Sequence, residues 1–440
     1  MLCPDGAQEP NCPRFPACVA VNSGDPVKRF NFGLVGGLAD QAIVSLGNFA
    51  LNILLARALP AAEYGVFSVA LSFLVFFNSL HQALVAYPLS VRAAAAPPGE
   101  SPRLLAVAAL LTPLFALAWA APLGAGLASI GRPALLPAAL LALLLWQWQE
   151  TVRRGFLARS RFGFAIASDL ARYGLPAAAV LLAGQLPIGA VMLLIAGSAA
   201  AAVLPVLPRL APHLGPAARV LRPELAGHWR VAAPVLGANL LSALSVQWFL
   251  WLLAWRDDPG GAAALVALAN IVAIANPVML GAENMLVPEV ARLRASLSFG
   301  GMMRLLARRG VLYGAMVAPF FLLILVLPET AARLFYGQAS PYADASGLLR
   351  LLVGAYAGQL AGTLFSAVLR GYQASGAVFR MQLYPALFGL TAGSWLTWTL
   401  GLEGACLSAL LAGGLRAAAG LVFVLRLRDA GLPAGAVTVS

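Results

Sequence analysis

Long apolar stretches alternate with short polar segments along nearly the whole chain. A helix that crosses a bilayer needs about 20 mostly apolar residues, and twelve stretches of the sequence approach that length. We therefore predict an all-α polytopic membrane protein. The twelve predicted spans are 31–56, 65–88, 104–128, 134–151, 163–183, 187–208, 231–255, 262–288, 310–328, 346–369, 381–400 and 403–425.

The composition supports the same class. Of the 440 residues, 61% are hydrophobic and only 10% are charged, whereas roughly 25% are charged in a typical soluble protein. So few charges would not cover the surface of a soluble enzyme, and a coiled coil or a disordered chain is excluded as well. Four cysteines are too few for a disulfide framework. No metal site and no cofactor are expected.

The basic residues indicate how the chain crosses the membrane. The net charge is +12, but the arginines are dispersed between apolar stretches, so a nucleic-acid partner is not expected. With both termini in the cytoplasm, cytoplasmic segments would hold 22 basic residues and the opposite side four. The positive-inside rule then predicts that both termini are cytoplasmic.

Two short patterns occur once in each half of the sequence. Arg57 and Arg256 end the first and seventh spans, while 154–156 (Arg-Gly-Phe) and 370–372 (Arg-Gly-Tyr) follow the fourth and tenth. Coincidence is the alternative, because Arg-Gly is common at helix ends. We predict two six-helix lobes of parallel topology, with a substrate site between them. The predicted division is a disordered cytoplasmic tail 1–30, a lobe 31–208, a cytoplasmic linker 209–230, a lobe 231–425 and a tail 426–440.

Several short segments also resemble a known family, the bacterial O-antigen and exopolysaccharide flippases. These flippases belong to the multidrug/oligosaccharidyl-lipid/polysaccharide (MOP) exporter superfamily. The resemblance covers most of 31–425 in hydropathy and helix count. The segments are 36–41 (Gly-Gly-Leu-Ala-Asp-Gln), 55–57 (Leu-Ala-Arg), 63–65 (Glu-Tyr-Gly), 276–277 (Asn-Pro) and 283–288 (Glu-Asn-Met-Leu-Val-Pro).

The resemblance implies a V-shaped, MATE-like fold of twelve to fourteen helices. It also implies a substrate, a polyprenyl-diphosphate-linked oligosaccharide that is moved from the inner to the outer leaflet for cell-surface polysaccharide synthesis. The expected partners are this lipid-linked oligosaccharide and membrane lipids. No Walker-type phosphate loop is present, so we expect coupling to a proton or sodium gradient rather than to ATP.

Arginines inside the spans are the first candidates for substrate binding. A charge at the bilayer centre costs about 2.5–3.5 kcal/mol, so it is expected to face a partner or a watery cavity. Arg416 has no acid one helical turn away, which suits a diphosphate ligand. The alternative is an ion pair with Glu283. Arg172 follows Asp169 by three residues, and it either pairs with that acid or faces the cavity.

Two further arginines lie where pseudo-equivalent spans end. Arg57 and Arg256 are predicted at the outer surface, close in sequence to Glu63 and to 257–258 (Asp-Asp). They are candidates for substrate contact through an outer gate formed with these acids. Ordinary interfacial charges are the alternative.

Acidic residues in the spans are candidates for ion coupling. Asp40 shares the first span with Asn48 and Asn52, and we expect the three to form one polar stripe. This stripe either lines a cavity, with Asp40 as the proton or cation site, or forms hydrogen bonds between packed helices. Glu283 in the eighth span is the second coupling candidate.

Two other functions remain open from the sequence. A drug or cation antiporter of the same superfamily would favour acidic over basic cavity residues, and the intramembrane arginines argue against it. A membrane-embedded polysaccharide polymerase or ligase would carry its active groups on a sizeable external loop. The longest predicted external loop, 329–345, is short.

Overall fold

The computed structural model describes residues 26–429, except for positions 98, 160, 185, 258, 295, 297 and 339. Most residues of the two predicted tails therefore lie outside the described residues. The tail cysteines Cys3, Cys12 and Cys18 and the gate candidate Asp258 lie outside them as well. The described part contains eighteen α-helices and no strand. The predicted all-α class is confirmed.

The helices follow one another with short connections. The first nine in chain order are α1 (Pro26–Ala58), α2 (Ala61–His81), α3 (Tyr87–Ala95), α4 (Ser101–Ala118), α5 (Ala120–Ser129), α6 (Leu136–Leu157), α7 (Phe162–Ala183), α8 (Ile188–Val203) and α9 (Leu207–Arg219). The second nine are α10 (Leu221–Asp257), α11 (Pro259–Val272), α12 (Asn276–Leu293), α13 (Phe299–Val326), α14 (Pro328–Tyr336), α15 (Leu349–Gly371), α16 (Ser375–Phe388), α17 (Ser394–Leu400) and α18 (Leu402–Asp429).

Proline and glycine set several of these boundaries. Pro259 and Pro328 open α11 and α14, where the missing N–H group of proline would have had no helical partner. Gly184 and Gly401 end α7 and α17 with φ of 68° and 61°. This left-handed backbone stops a helix, and glycine adopts it without steric cost.

Eleven helical segments of the described chain are long and apolar enough to cross a membrane. The chain is thus a polytopic membrane protein, and eleven of the twelve predicted spans fall on these segments. The twelfth, 381–400, falls on α16 and α17, which a π-helical turn at Gly389–Gly393 joins. Gln382, Tyr384 and Pro385, together with several threonine, serine and glycine residues, make this segment less apolar than the others.

The segment 209–230, expected to be a linker, is helical. It comprises most of α9 and the start of α10, which are separated only at Val220. The N–H of Val220 donates to the carbonyl of Ala217 at 3.1 Å. Because α10 runs without a break to Asp257, the second lobe begins inside a continuous helix rather than after a loop.

The helices form two lobes. In each lobe, the fourth and the sixth span pack against each other. The most extensive pairs are α6 with α8 in the first lobe and α15 with α18 in the second. Glycines allow the second pair to cross closely. A Cβ added to Gly358 would lie 2.6 Å from the backbone of Gly413, so the two helix backbones are in contact, as small residues permit in membranes.

The two lobes are in close contact at one end of the helix bundle. We call the end with the α1–α2 and α10–α11 turns the hairpin end, and the end with the α9–α10 junction the linker end. At the hairpin end, a Cβ added to Gly65 would lie 2.0 Å from the Pro259 carbonyl oxygen, and Tyr64 is fully buried. The Trp251 ring stacks on Phe73 at 5.0 Å. The lobes are therefore tightly packed there.

Candidate functional site

A polar cleft lies between the lobes. It consists of two neighbouring cavities of about 490 and 440 Å³, which share the polar lining residues Asn48, Asn270, Asn276, Gln359 and Arg416. These side chains come from both lobes, since Asn48 lies on α1 and the other four lie on α11, α12, α15 and α18. The cleft therefore occupies the position expected for a substrate site.

Among the polar side chains of the lining, neutral hydrogen-bonding groups are the most numerous. Besides the five shared residues, the larger cavity exposes further amides and hydroxyls from Asn52, Ser68, Ser72, Ser242, Ser245, Gln247 and Gln382. Arg416 and Glu283 are the charged residues among the described lining of the two cavities. Such a surface suits a ligand rich in hydroxyl groups.

Arg416 extends into both cavities from α18. Its buried Nε has no hydrogen-bond partner, and the side chain makes no ion pair within the described part of the chain. Gly362 on α15 makes room for its stem, because a Cβ there would lie 2.9 Å from the Arg416 Cγ. The site thus holds an unpaired guanidinium, which is costly unless a ligand supplies the negative charge.

Glu283 is bound elsewhere. Its carboxylate accepts from Arg370 on α15, and both side chains are partly exposed. The alternative of an Arg416–Glu283 ion pair is therefore wrong. Arg370 binds Glu283 and Arg416 lines the same cavity, so the neighbourhood of Glu283 carries more positive than negative charge.

Arg172 lies beside the cleft rather than in it. The guanidinium is 4.1 Å from the ring centroid of Trp146 and 5.0 Å from that of Tyr173, so it makes cation–π contacts. It lines a small cavity next to Asn48 and Asn52. The predicted Asp169–Arg172 ion pair is not formed, because Asp169 binds Arg153 instead.

A buried charge cluster around Arg153 was not predicted. Its Nε donates to Asp169 Oδ2 at 2.7 Å, its Nη1 contacts both carboxylate oxygens of Glu150 at 3.2 Å, and its Nη2 donates to Asp40. All four side chains are nearly inaccessible to solvent. The sequence placed Arg153 in a cytoplasmic loop, but α6 continues past it to Leu157.

Asp40 therefore does not belong to the cleft. Asn48 and Asn52 do line it, but the eight helical steps from Asp40 to Asn48 rotate the direction of the side chain by about 80° beyond two full turns. Asp40 consequently faces α6, and the expected single stripe is wrong. The neighbouring Gln41 reaches the cleft in its place.

Arg57 joins the lobes at the hairpin end. Its Nε donates to the Phe335 carbonyl at 2.5 Å and its Nη2 to the Leu334 carbonyl at 3.1 Å, so it caps the last turn of α14. Glu63 pairs with Arg132 at 2.9 Å. The expected Arg57–Glu63 gate pair is wrong, although Arg57 does bridge the two lobes.

Arg256 occupies a different environment from its pseudo-equivalent. Its Nη2 donates to the Thr399 carbonyl at 3.4 Å, a contact within the second lobe. Neither Arg57 nor Arg256 lines the cleft. The structure thus brings one of the four predicted substrate residues, Arg416, into the cleft, together with the predicted coupling residue Glu283.

Comparison with solved structures identifies the fold. No family model and no curated protein sequence matches the chain. A solved structure described as the inward-facing conformation of a multidrug resistance MATE family transporter of the MOP superfamily matches with a TM-score of 0.69. That match has 13% identity and covers 88% of this chain and 95% of the other. The fold is therefore that of MATE transporters.

Two further solved structures have the same fold. An outward-facing MATE transporter matches with a TM-score of 0.61, at 13% identity over 92% of this chain and 97% of the other. A MOP superfamily transporter from Pyrococcus furiosus, described by the reverse polarity of its binding pocket, matches with a TM-score of 0.63. This match has 13% identity and covers 92% of this chain and 97% of the other.

Proposed function

We propose that this protein translocates a polyprenyl-diphosphate-linked oligosaccharide across a bacterial inner membrane by alternating access. The unpaired Arg416 guanidinium in the cleft between the lobes is the observation that carries this proposal. The substrate would serve the synthesis of a cell-surface polysaccharide.

The chemistry of the cleft fits the two polar parts of such a substrate. A guanidinium binds phosphate oxygens through two parallel hydrogen bonds, so Arg416 would hold the diphosphate. It would also lower the cost of bringing an anion into a region of low dielectric constant. The amide and hydroxyl groups of the lining would donate to and accept from sugar hydroxyls.

The smaller cavity offers a place for the lipid part. It lies between α1 and α12, where Val44 and Phe49 on one helix and Met279 and Leu280 on the other line it. A polyprenyl chain would pass between these apolar side chains into the bilayer while the diphosphate stays in the cleft.

The two ends of the bundle suit alternating access. The lobes are packed together at the hairpin end, whereas the smaller cavity extends towards the linker end along Gln41, Glu283 and Thr363. The structure would then represent the state in which the cleft opens at the linker end. Rocking of the lobes would close that side and separate the hairpin end.

A drug or cation antiporter is the second candidate. Glu283 in the cleft wall favours it, because a cationic ligand requires an acid. Arg370 already neutralises this acid, and so we rank this function second.

Transport by the purified protein in liposomes separates the candidates. We expect movement of a fluorescent undecaprenyl-diphosphate oligosaccharide between leaflets, measured by quenching with a membrane-impermeant reagent, and no uptake of a lipophilic cation dye. Undecaprenyl diphosphate should compete, whereas undecaprenol should not. Dye uptake without glycolipid movement would favour the antiporter, and extension of the glycan would favour a polymerase.

The coupling site is expected at Glu283 rather than at Asp40. Glu283 lines the cleft, whereas Asp40 is enclosed around Arg153. In liposomes with an imposed proton or sodium gradient, Glu283→Gln should transport at the same rate with and without the gradient. Asp40→Asn should keep the response to the gradient and lose about 1–3 kcal/mol of stability, since it weakens a charged hydrogen bond.

Glu289→Gln is the matched control, because Glu289 lies on the same helix and pairs with Arg309 at 2.5 Å outside the cleft. It should respond to the gradient as the unmodified protein does. A folded Asp40→Asn protein that no longer responds to the gradient would move the coupling site to Asp40.

A further inference from the structure

A separate cavity lies at the linker end of the first lobe. It has a volume of about 490 Å³ and is bordered by α4, the α6–α7 turn and the start of α9. It shares no lining residue with the cleft between the lobes. The transport function proposed above makes no use of it.

The charged side chains that line this cavity are all basic. Three arginines, Arg159, Arg161 and Arg209, line it together with His213, and its described lining contains no acid. Arg161 and Arg209 are exposed, so their guanidinium groups lie at the rim. The cavity is therefore suited to an anion.

The backbone fixes the position of the rim. The carbonyl of Phe156 accepts the N–H of Arg159 at 3.1 Å and that of Arg161 at 3.0 Å, which folds the α6–α7 turn tightly over the end of α6. Gly155 allows α4 to approach, because a Cβ there would lie 2.8 Å from Leu105 Cδ1. The backbone of the first lobe therefore shapes this cavity.

The inner wall of the cavity is apolar. Leu105, Phe156, Val206 and Leu210 form it. Ser101 and Pro102 at the start of α4 complete the lining. A cationic rim next to an apolar wall, at the end of membrane-spanning helices, matches a phosphate group that continues into acyl chains.

We propose that this cavity binds the phosphodiester headgroup of an anionic phospholipid. Arg161 and Arg209 contact the phosphate at the rim, and the adjoining acyl chains lie against Leu105 and Leu210. The site is distinct from the substrate cleft and is expected to remain intact if the proposed transport function fails.

Native mass spectrometry tests this site without any transport assay. The full-length protein is released from phosphatidylcholine bilayers that contain added phosphatidylglycerol, and the retained phosphatidylglycerol is measured against phosphatidylcholine. R161Q/R209Q should lower this ratio roughly 30-fold, which is the effect of two arginine–phosphate attractions at a bilayer surface. R304Q/R308Q is the matched control, since both arginines are exposed on α13 near the linker end and outside the cavity.

Two outcomes would overturn the proposal. Equal retention by the two double variants would mean that only the overall charge of this surface attracts the lipid. Displacement of phosphatidylglycerol by inorganic phosphate would assign the cavity to a small free anion, whereas a lipid site should resist it because phosphate has no acyl chains. Thermal unfolding of both double variants should match that of the unmodified protein, since the changed side chains are exposed.

Discussion

Arg416→Ala is expected to lower transport of the lipid-linked oligosaccharide about 100-fold, because the diphosphate would lose its buried cationic partner. Arg416→Lys should restore only part of the rate, since an ammonium keeps the charge but loses the two parallel hydrogen bonds. The measurement is the initial rate of leaflet exchange in liposomes at equal amounts of inserted protein.

Stability distinguishes a binding role for Arg416 from a structural role. Among the residues that the structure describes, Arg416 has no acid to leave unpaired, so Arg416→Ala should unfold at the same temperature as the unmodified protein or higher. Arg350→Ala is the control, because Arg350 donates to the Leu325 carbonyl at 3.0 Å away from the cleft. A normal rate for Arg416→Ala would eliminate the ligand role, and a large loss of stability would reassign Arg416 to packing.

Arg153→Met should have the largest effect on folding. It would leave Asp40, Glu150 and Asp169 buried without their shared cation, which costs about 3–5 kcal/mol for a broken buried ion pair. Methionine keeps the unbranched apolar stem of arginine and removes the guanidinium, so the main loss would come from charge. Thermal unfolding in detergent and the yield of inserted protein are the measurements.

The neighbouring Arg154 provides the control for this change. Its side chain is 41% exposed and pairs with Glu150 at 2.7 Å, so Arg154→Met should cost no more than about 1 kcal/mol. Replacing Asp40 and Asp169 by asparagine together with Arg153→Met should recover part of the loss. Equal stability of the Arg153→Met and Arg154→Met proteins would show that the cluster is not a structural centre.

The sequence predicts the helices well because bilayer thickness constrains each span separately. Length and hydropathy identify eleven spans without knowledge of how they pack. The same reasoning finds Arg416, since it lies deep within an apolar stretch. The span at 381–400 is the weakest by hydropathy, because it contains Gln382, Tyr384 and Pro385 beside several threonine, serine and glycine residues.

The charge cluster could not be found in this way. Arg153 lies close to a predicted span end, where hydropathy does not distinguish an arginine that reaches the membrane surface from one that turns inward. Its partners come from three helices, and only packing sets the rotation of α1 towards α6. Asp169 and Arg172 show the same limit, since their spacing allows a pair but Trp146 and Arg153 are better partners.

The close crossing of α15 and α18 has a mechanical consequence. Gly413 contacts the α15 backbone and lies one helical turn before Arg416, so we expect the two helices to move together during transport. A change of depth for Arg416 would then displace Arg370 by the same amount. The anion would travel with a pair of cations whose spacing the second lobe holds constant.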